Sequence, residues 1–254
     1  MWRRVRGLVA AVALVWAAPA LAMAQQQQFG QSPPNTYVTW GTNTRGSAVD
    51  VTYFVGAGFS AAQTNLINQA AAQWSAVSNV HLIQVGTAAG ADVQLSVANL
   101  GATTLANLNR NATPQPGTLN GAPWAQIQGP ATVTFNSLAG TGFSWWTGGA
   151  GPAGNQFDFL QVALDVMGYS VGMGLLAPGA DPSSVMQSQF TSGVAGSHKL
   201  SSSDVQSVQA IYGAPEPATL GLFGIGLSMV ALSRTRRRLA AGVRAEATSR
   251  PLRT

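Results

Sequence analysis

The charges of this chain are sorted by position, and that sorting limits which part of it can fold around a conventional core. Arg3, Arg4 and Arg6 stand at one end; Arg234, Arg236, Arg237, Arg238, Arg244, Arg250 and Arg253 stand at the other. Between residues 25 and 213 the basic side chains are Arg45, Arg110 and Lys199, set against Asp50, Asp92, Asp158, Asp165, Asp181 and Asp204. The formal charge of +5 therefore belongs to the ends, and the middle is mildly acidic. Nucleic acid, which requires clustered Lys and Arg, is not an expected partner.

Each basic end adjoins an apolar run. "MWRRVR" precedes "GLVAAVALVWAAPALA", with small residues at Ala20, Ala22 and Ala24. Residues 1–24 therefore predict a secretory signal peptide cleaved after Ala22 or Ala24, with a membrane anchor as the alternative. The chain has no cysteine, so an exported domain here uses no disulfide. At roughly 190 residues its core is large enough to do without one.

At the other end Pro215, Glu216 and Pro217 lead into "ATLGLFGIGLSMVALS" and then "RTRRR". A helix over that uncharged run spans about 24 Å at about 1.5 Å per residue, just short of the hydrocarbon layer. The arginines would hold its far end on the cytoplasmic side. Residues 214–238, with Pro215, Glu216, Pro217, Arg236, Arg237 and Arg238, resemble the PEP-CTERM sorting signal of exported bacterial proteins. The resemblance implies transient anchoring in the inner membrane and recognition by an exosortase-type enzyme. It also implies a cell-envelope or extracellular destination. Residues 239–254, a basic cytoplasmic tail, extend past the point where such signals usually end. A plain C-terminal anchor is the alternative.

Residues 25–48 are rich in Gln, Pro and Asn and predict a flexible lead-in. The folded domain is expected over 49–213. "VDVTYFV" alternates as a half-buried strand does. Ser60 caps a predicted helix to about Ser78, with Leu66, Ala70, Ala71 and Trp74 on its buried face. "VHLIQV" and "ADVQLSVANLG" predict two strands, residues 101–123 a long surface excursion, and "ATVTFNS" another strand. "WWTGGAGPAG" predicts a glycine-rich loop, in which Trp145 and Trp146 either stack on sugars or pack inward; packing is preferred. Helices follow over about Phe157–Val171 and over "SSSDVQSVQAIYG", the latter with a Ser-x-x-Asp capping pattern and Gly213 as its stop.

The helix near Phe157–Val171 carries "ALDVMGYSVGMGLLAPGADPSSVM". A zinc-protease helix needs histidines at i and i+4, on one helical face, and a glutamate after the first to take a proton from metal-bound water. In metzincins a glycine then turns the chain, a third histidine follows, and a methionine turn lies beneath the metal. Laid on that pattern, Asp165 and Tyr169 occupy the first two histidine positions and Val166 the glutamate position. Leu175 occupies the third histidine position, while Gly172 and Met186 match the turning glycine and the methionine. The scaffold residues persist; the chemical ones do not.

Together with "AAAQWSAVSNVHLIQV", "ADVQLSV", "GTLNGAPW" and "LSSSDVQSVQAIYG", the motif makes residues 48–213 resemble a matrixin-type metzincin. That resemblance implies an α+β fold: a twisted mixed β-sheet with three main helices, two packing on the sheet and one C-terminal. The family's structural-metal positions fall approximately on Gly121 and Thr134. Of the chain's two histidines, His81 lies in a strand pattern that suits a core or surface residue. His198 lies in a Gly/Ser loop without a recognisable ligand partner. Asp165 and Tyr169 are weak metal candidates, because oxygen donors without imidazole do not favour zinc.

Other chemistries have less to stand on. There is no thiol nucleophile, no nucleophile elbow near either histidine, no phosphate loop and no carboxylate pair at a glycosidase spacing. The expectation is an exported pseudopeptidase: no cofactor, no catalytic residue, and a binding or structural role toward extracellular polysaccharide or protein. The alternatives are an active metalloendopeptidase that holds zinc through Asp165 and Tyr169, and a carbohydrate-active or polysaccharide-binding protein.

Overall fold

A computed structural model describes residues 36–41, 48–174, 181–187 and 189–215. These belong to one compact unit ending at Pro215. The predicted signal peptide, Leu175, and the predicted sorting signal from Glu216 through Arg238 lie outside the described residues. Among the described residues no helix is long and apolar enough to cross a membrane.

The main sheet has six strands: β1 (Tyr37–Thr39), β2 (Val49–Val55), β3 (Val80–Val85), β4 (Val93–Ala98), β5 (Ala106–Leu119) and β6 (Ala122–Asn136). Their order is β1-β6-β4-β2-β3, every pair parallel, with β5 added antiparallel to β6. Parallel neighbours need crossovers, and α1 (Ala61–Val77) supplies the one between β2 and β3. A second, two-stranded sheet pairs β7 (Ser144–Trp146) with β8 (Gln156–Asp158), also in parallel. Two further helices follow, α2 (Phe159–Ser170) and α3 (Ser202–Tyr212). The expected mixed sheet with three main helices is thus present, in a mixed α/β arrangement.

Local signals place the helices. Ser60 accepts from the Gln63 amide while Gln63 reaches back to the Ser60 N–H, a complete capping box. Ser201 and Asp204 make the same box for α3, and Gly213 ends that helix at φ 79°. On α1 the fully buried face is Ile67, Ala70, Ala71 and Trp74, so Ile67 takes the place expected of the half-buried Leu66. Alternate residues of the sheet (Val51 and Tyr53, Val93 and Leu95, Val133 and Phe135) close the core against α1 and α2.

Three expectations need correction. The lead-in over 25–48 contains β1: Trp40 Nε1 donates to Ser170 O at 2.8 Å, and the Trp40 N–H donates to the Tyr212 hydroxyl at 3.2 Å. These contacts clamp the segment onto the ends of α2 and α3, which local composition does not reveal. The surface excursion over 101–123 is mostly a long β-hairpin. Its turn residues Asn120 and Gly121 have φ 52° and 80°, the left-handed pair that tight hairpins need. Pro114 and Pro116 argue against a strand in sequence, yet β5 is an edge, where a missing N–H is tolerated. The glycine-rich loop, finally, begins in β7, although Trp145 packs inward as expected, edge-on to Phe135 and Phe159, while its Nε1 donates to Asn136 O at 2.8 Å.

Candidate functional site

Helix α2 carries Asp165, Val166 and Tyr169, and Gly172 follows directly on its end. Asp158 at the end of β8 caps it, its Oδ1 accepting from the Leu160 and Gln161 amides. Trp74 Nε1 donates to Leu164 O at 2.9 Å and fixes α2 against α1. The two helices approach so closely because residue 168 is glycine. A methyl group there would lie 2.9 Å from Trp74 Cε2 and 2.5 Å from Met186 Sδ. Met186, 1% exposed, therefore sits directly against α2. Gly172 ends the helix at φ 105°, and a Cβ there would collide with the Val38 carbonyl of β1. Both the left-handed backbone and the close approach require glycine.

The Met186 turn is held by Asp204, 2% exposed and itself part of the α3 capping box. Its carboxylate accepts from Ser184 Oγ, from the Val185 amide at 3.0 Å and from the Ser201 amide at 2.9 Å. Charge-assisted bonds of this kind satisfy a buried carboxylate without a counter-cation.

Asp165, Val166 and Tyr169 line a cleft of about 550 Å³ between α2, the start of β5 and the segment after Met186. Asp165 is 7% exposed, and its Oδ1 is sealed from solvent with no hydrogen-bond partner among the described residues. Burial first, and the nearby Asp204 charge second, push its carboxyl well above the usual range. Tyr169 lies under Arg110, whose guanidinium carbon is 4.1 Å from the ring centroid. The same guanidinium donates to Tyr169 O and, at 3.4 Å, to Met173 O, neutralising the carbonyl end of α2. Arg110 falls where the β5–β6 register shifts, which frees it from the ladder. Neither the bulge nor the contact is readable in the sequence.

Zinc does not fit this donor set. Asp165 offers one carboxylate held toward its neutral form, Tyr169 a phenol ring covered by a cation, and Val166 an aliphatic group at the base position. Among the described residues no three His, Cys, Asp or Glu side chains gather as a metal group. The two structural-metal positions are not brought together either. Gly121 is the hairpin turn, whereas Thr134 near the far end of β6 lies with its Oγ1 3.3 Å from Ser96 Oγ. His81 pairs with Asp50 across β2 and β3 at 3.1 Å, both largely exposed, a contact of little energetic consequence. His198 does have a partner: its Nε2 lies 2.5 Å from Asp158 Oδ2, and its ring stacks on Trp146. Forty residues separate that pair in sequence, so spacing alone did not expose it.

The Asp165 environment has a pH consequence. The native state keeps this proton at pH values where the unfolded chain has released it. Stability therefore falls as pH rises from the ordinary carboxyl range toward the raised native value, then levels. Asp165→Asn removes that slope. At neutral pH it is expected to be more stable than the parent, with the gap closing near pH 4. Chemical denaturation at the two pH values measures this; equal stability differences at both would refute it.

No known family model matches the chain, and no curated protein matches it.

Proposed function

We propose that this chain is an exported, non-catalytic binding protein on a matrixin-like scaffold, sorted through a PEP-CTERM-type tail. The observation that carries this reading is the state of Asp165 and Tyr169. They share the helical face on which a metzincin holds its metal, yet one carboxyl oxygen is sealed and the phenol carries Arg110. The support for the scaffold is positional. Met186 packs under α2, Gly172 turns the chain where the motif requires, and an antiparallel edge strand borders the cleft. Two framework glycines and the Asp204 anchor keep the cleft's walls in place, and the cleft itself remains open. Such a combination retains a surface for recognition and lacks a group to activate water.

The test is hydrolytic. Purified mature protein supplied with zinc should leave casein and gelatin intact, with or without a chelator. Chelator-sensitive cleavage that disappears in Asp165→Ala would establish a metallopeptidase with unusual ligands instead.

A further inference from the structure

Helix α3 draws on a distant residue at its carbonyl end. The last four carbonyls of a helix find no amide partner within it, and in α3 these belong to Gln209, Ala210, Ile211 and Tyr212. Gln209 O accepts from the Gly213 amide, the usual stop. Ala210 O is served from ninety positions away: Nδ2 of Asn120, at the exposed tip of the β5–β6 hairpin, donates to it. A side-chain amide on a hairpin turn thus caps the end of a helix.

Asn120 is also the one asparagine of the sequence that is followed by glycine. The amide nitrogen of a following residue can close a five-membered ring onto the asparagine side-chain carbonyl carbon, and a side chain on that residue hinders the approach. At Gly121 no such side chain exists, and nothing lies within 4 Å of where a Cβ would stand. Both residues are exposed, so water and hydroxide reach them. The folded turn slows the reaction, because Asn120 is held at φ 52° and its amide is tied to Ala210 O. Ring closure therefore goes through the opened tip, and an exposed turn opens locally at far lower cost than the core unfolds.

We infer that Asn120 is a site of spontaneous deamidation and that this modification removes the cap from α3. The deprotonated Gly121 nitrogen attacks Asn120 Cγ, the Cγ–Nδ2 bond breaks, and the side-chain nitrogen leaves as ammonia. Water then opens the cyclic imide at either carbonyl, leaving aspartate or isoaspartate. One water is consumed and one ammonia released, with no oxidant or reductant. Neither product replaces the cap. A carboxylate has no proton to donate to Ala210 O, and it sets a negative charge at the end of α3 where the helix dipole is already negative. Isoaspartate also adds a methylene to the main chain within a tight hairpin turn.

Peptide mapping by mass spectrometry, on the full chain aged at mildly alkaline pH, tests the modification. The amide-to-acid mass change should appear at Asn120 ahead of every other asparagine, with isoaspartate among the products, and faster in urea, where the tip is open. Asn120→Asp installs one product directly. Its Tm should fall, and the amides in the last turn of α3 should exchange with solvent a few-fold to about tenfold faster than in the parent. Conversion of another asparagine before Asn120 overturns the assignment, as does a native protein still intact at Asn120 when the urea-unfolded chain has fully converted. Parental Tm and exchange in Asn120→Asp would show that the modification leaves α3 untouched and overturn the second half of the inference.

Discussion

Gly168→Ala should destabilise the domain even though alanine is the better helix former. In an open helix the exchange would gain about 1 kcal/mol. Here the added methyl meets Trp74 and Met186 Sδ at once. Neither neighbour can yield cheaply. Trp74 is fully buried and pinned by its bond to Leu164 O, and Met186 is held by the turn that Asp204 anchors. Overpacking of this kind costs about 1–3 kcal/mol and can cost more when backbone must shift. We therefore expect a clear drop in Tm for Gly168→Ala and a larger one for Gly168→Leu. Gly86→Ala, whose new methyl meets nothing within 4 Å, serves as the control and should fall within about 0.5 kcal/mol of the parent. An unaltered or raised Tm for Gly168→Ala would mean that α1, α2 and Met186 do not converge as described.

What the sequence disclosed was mainly local. The Ser60 cap, the Ser201–Asp204 capping box, the stop at Gly213, the extent of α2 and the alternation in β2 depend on neighbouring residues, and each appears within a few positions of where it was expected. The errors share a different origin. Strand β1 exists because Tyr37–Thr39 pairs with Trp124–Gln126, a partnership between distant segments. The β5 hairpin was hidden by Pro114, Pro116 and a polar run that only an edge position explains, although Asn120-Gly121 was a usable turn signal. At the candidate site the motif alignment selected the helix face from residue identities alone. It gave no hint of Arg110 over Tyr169, of Asp158 joined to His198, or of Asp204 under the Met186 turn. Those are tertiary pairings of polar groups, which carry no periodicity.

Arg110 also bears on how the cleft differs from a metal centre. Its guanidinium bonds two carbonyls at the end of α2 and stacks on Tyr169. A fixed positive charge at that point opposes a divalent cation on the same helical face, and burial lowers its pKa only from a very high ordinary value. Building a metal site on this face therefore requires attention to this residue as well as to the ligand positions.

The most direct measurement is zinc stoichiometry and affinity in the parent protein and in a variant combining Asp165→His, Val166→Glu, Tyr169→His, Leu175→His and Arg110→Gln. The parent should hold no stoichiometric zinc after dialysis against metal. The variant, with its fold confirmed by circular dichroism, should bind close to one zinc per chain with an affinity higher by orders of magnitude. Tightly held zinc in the parent that is lost on Asp165→Ala would contradict the account, and so would a folded variant that takes up none.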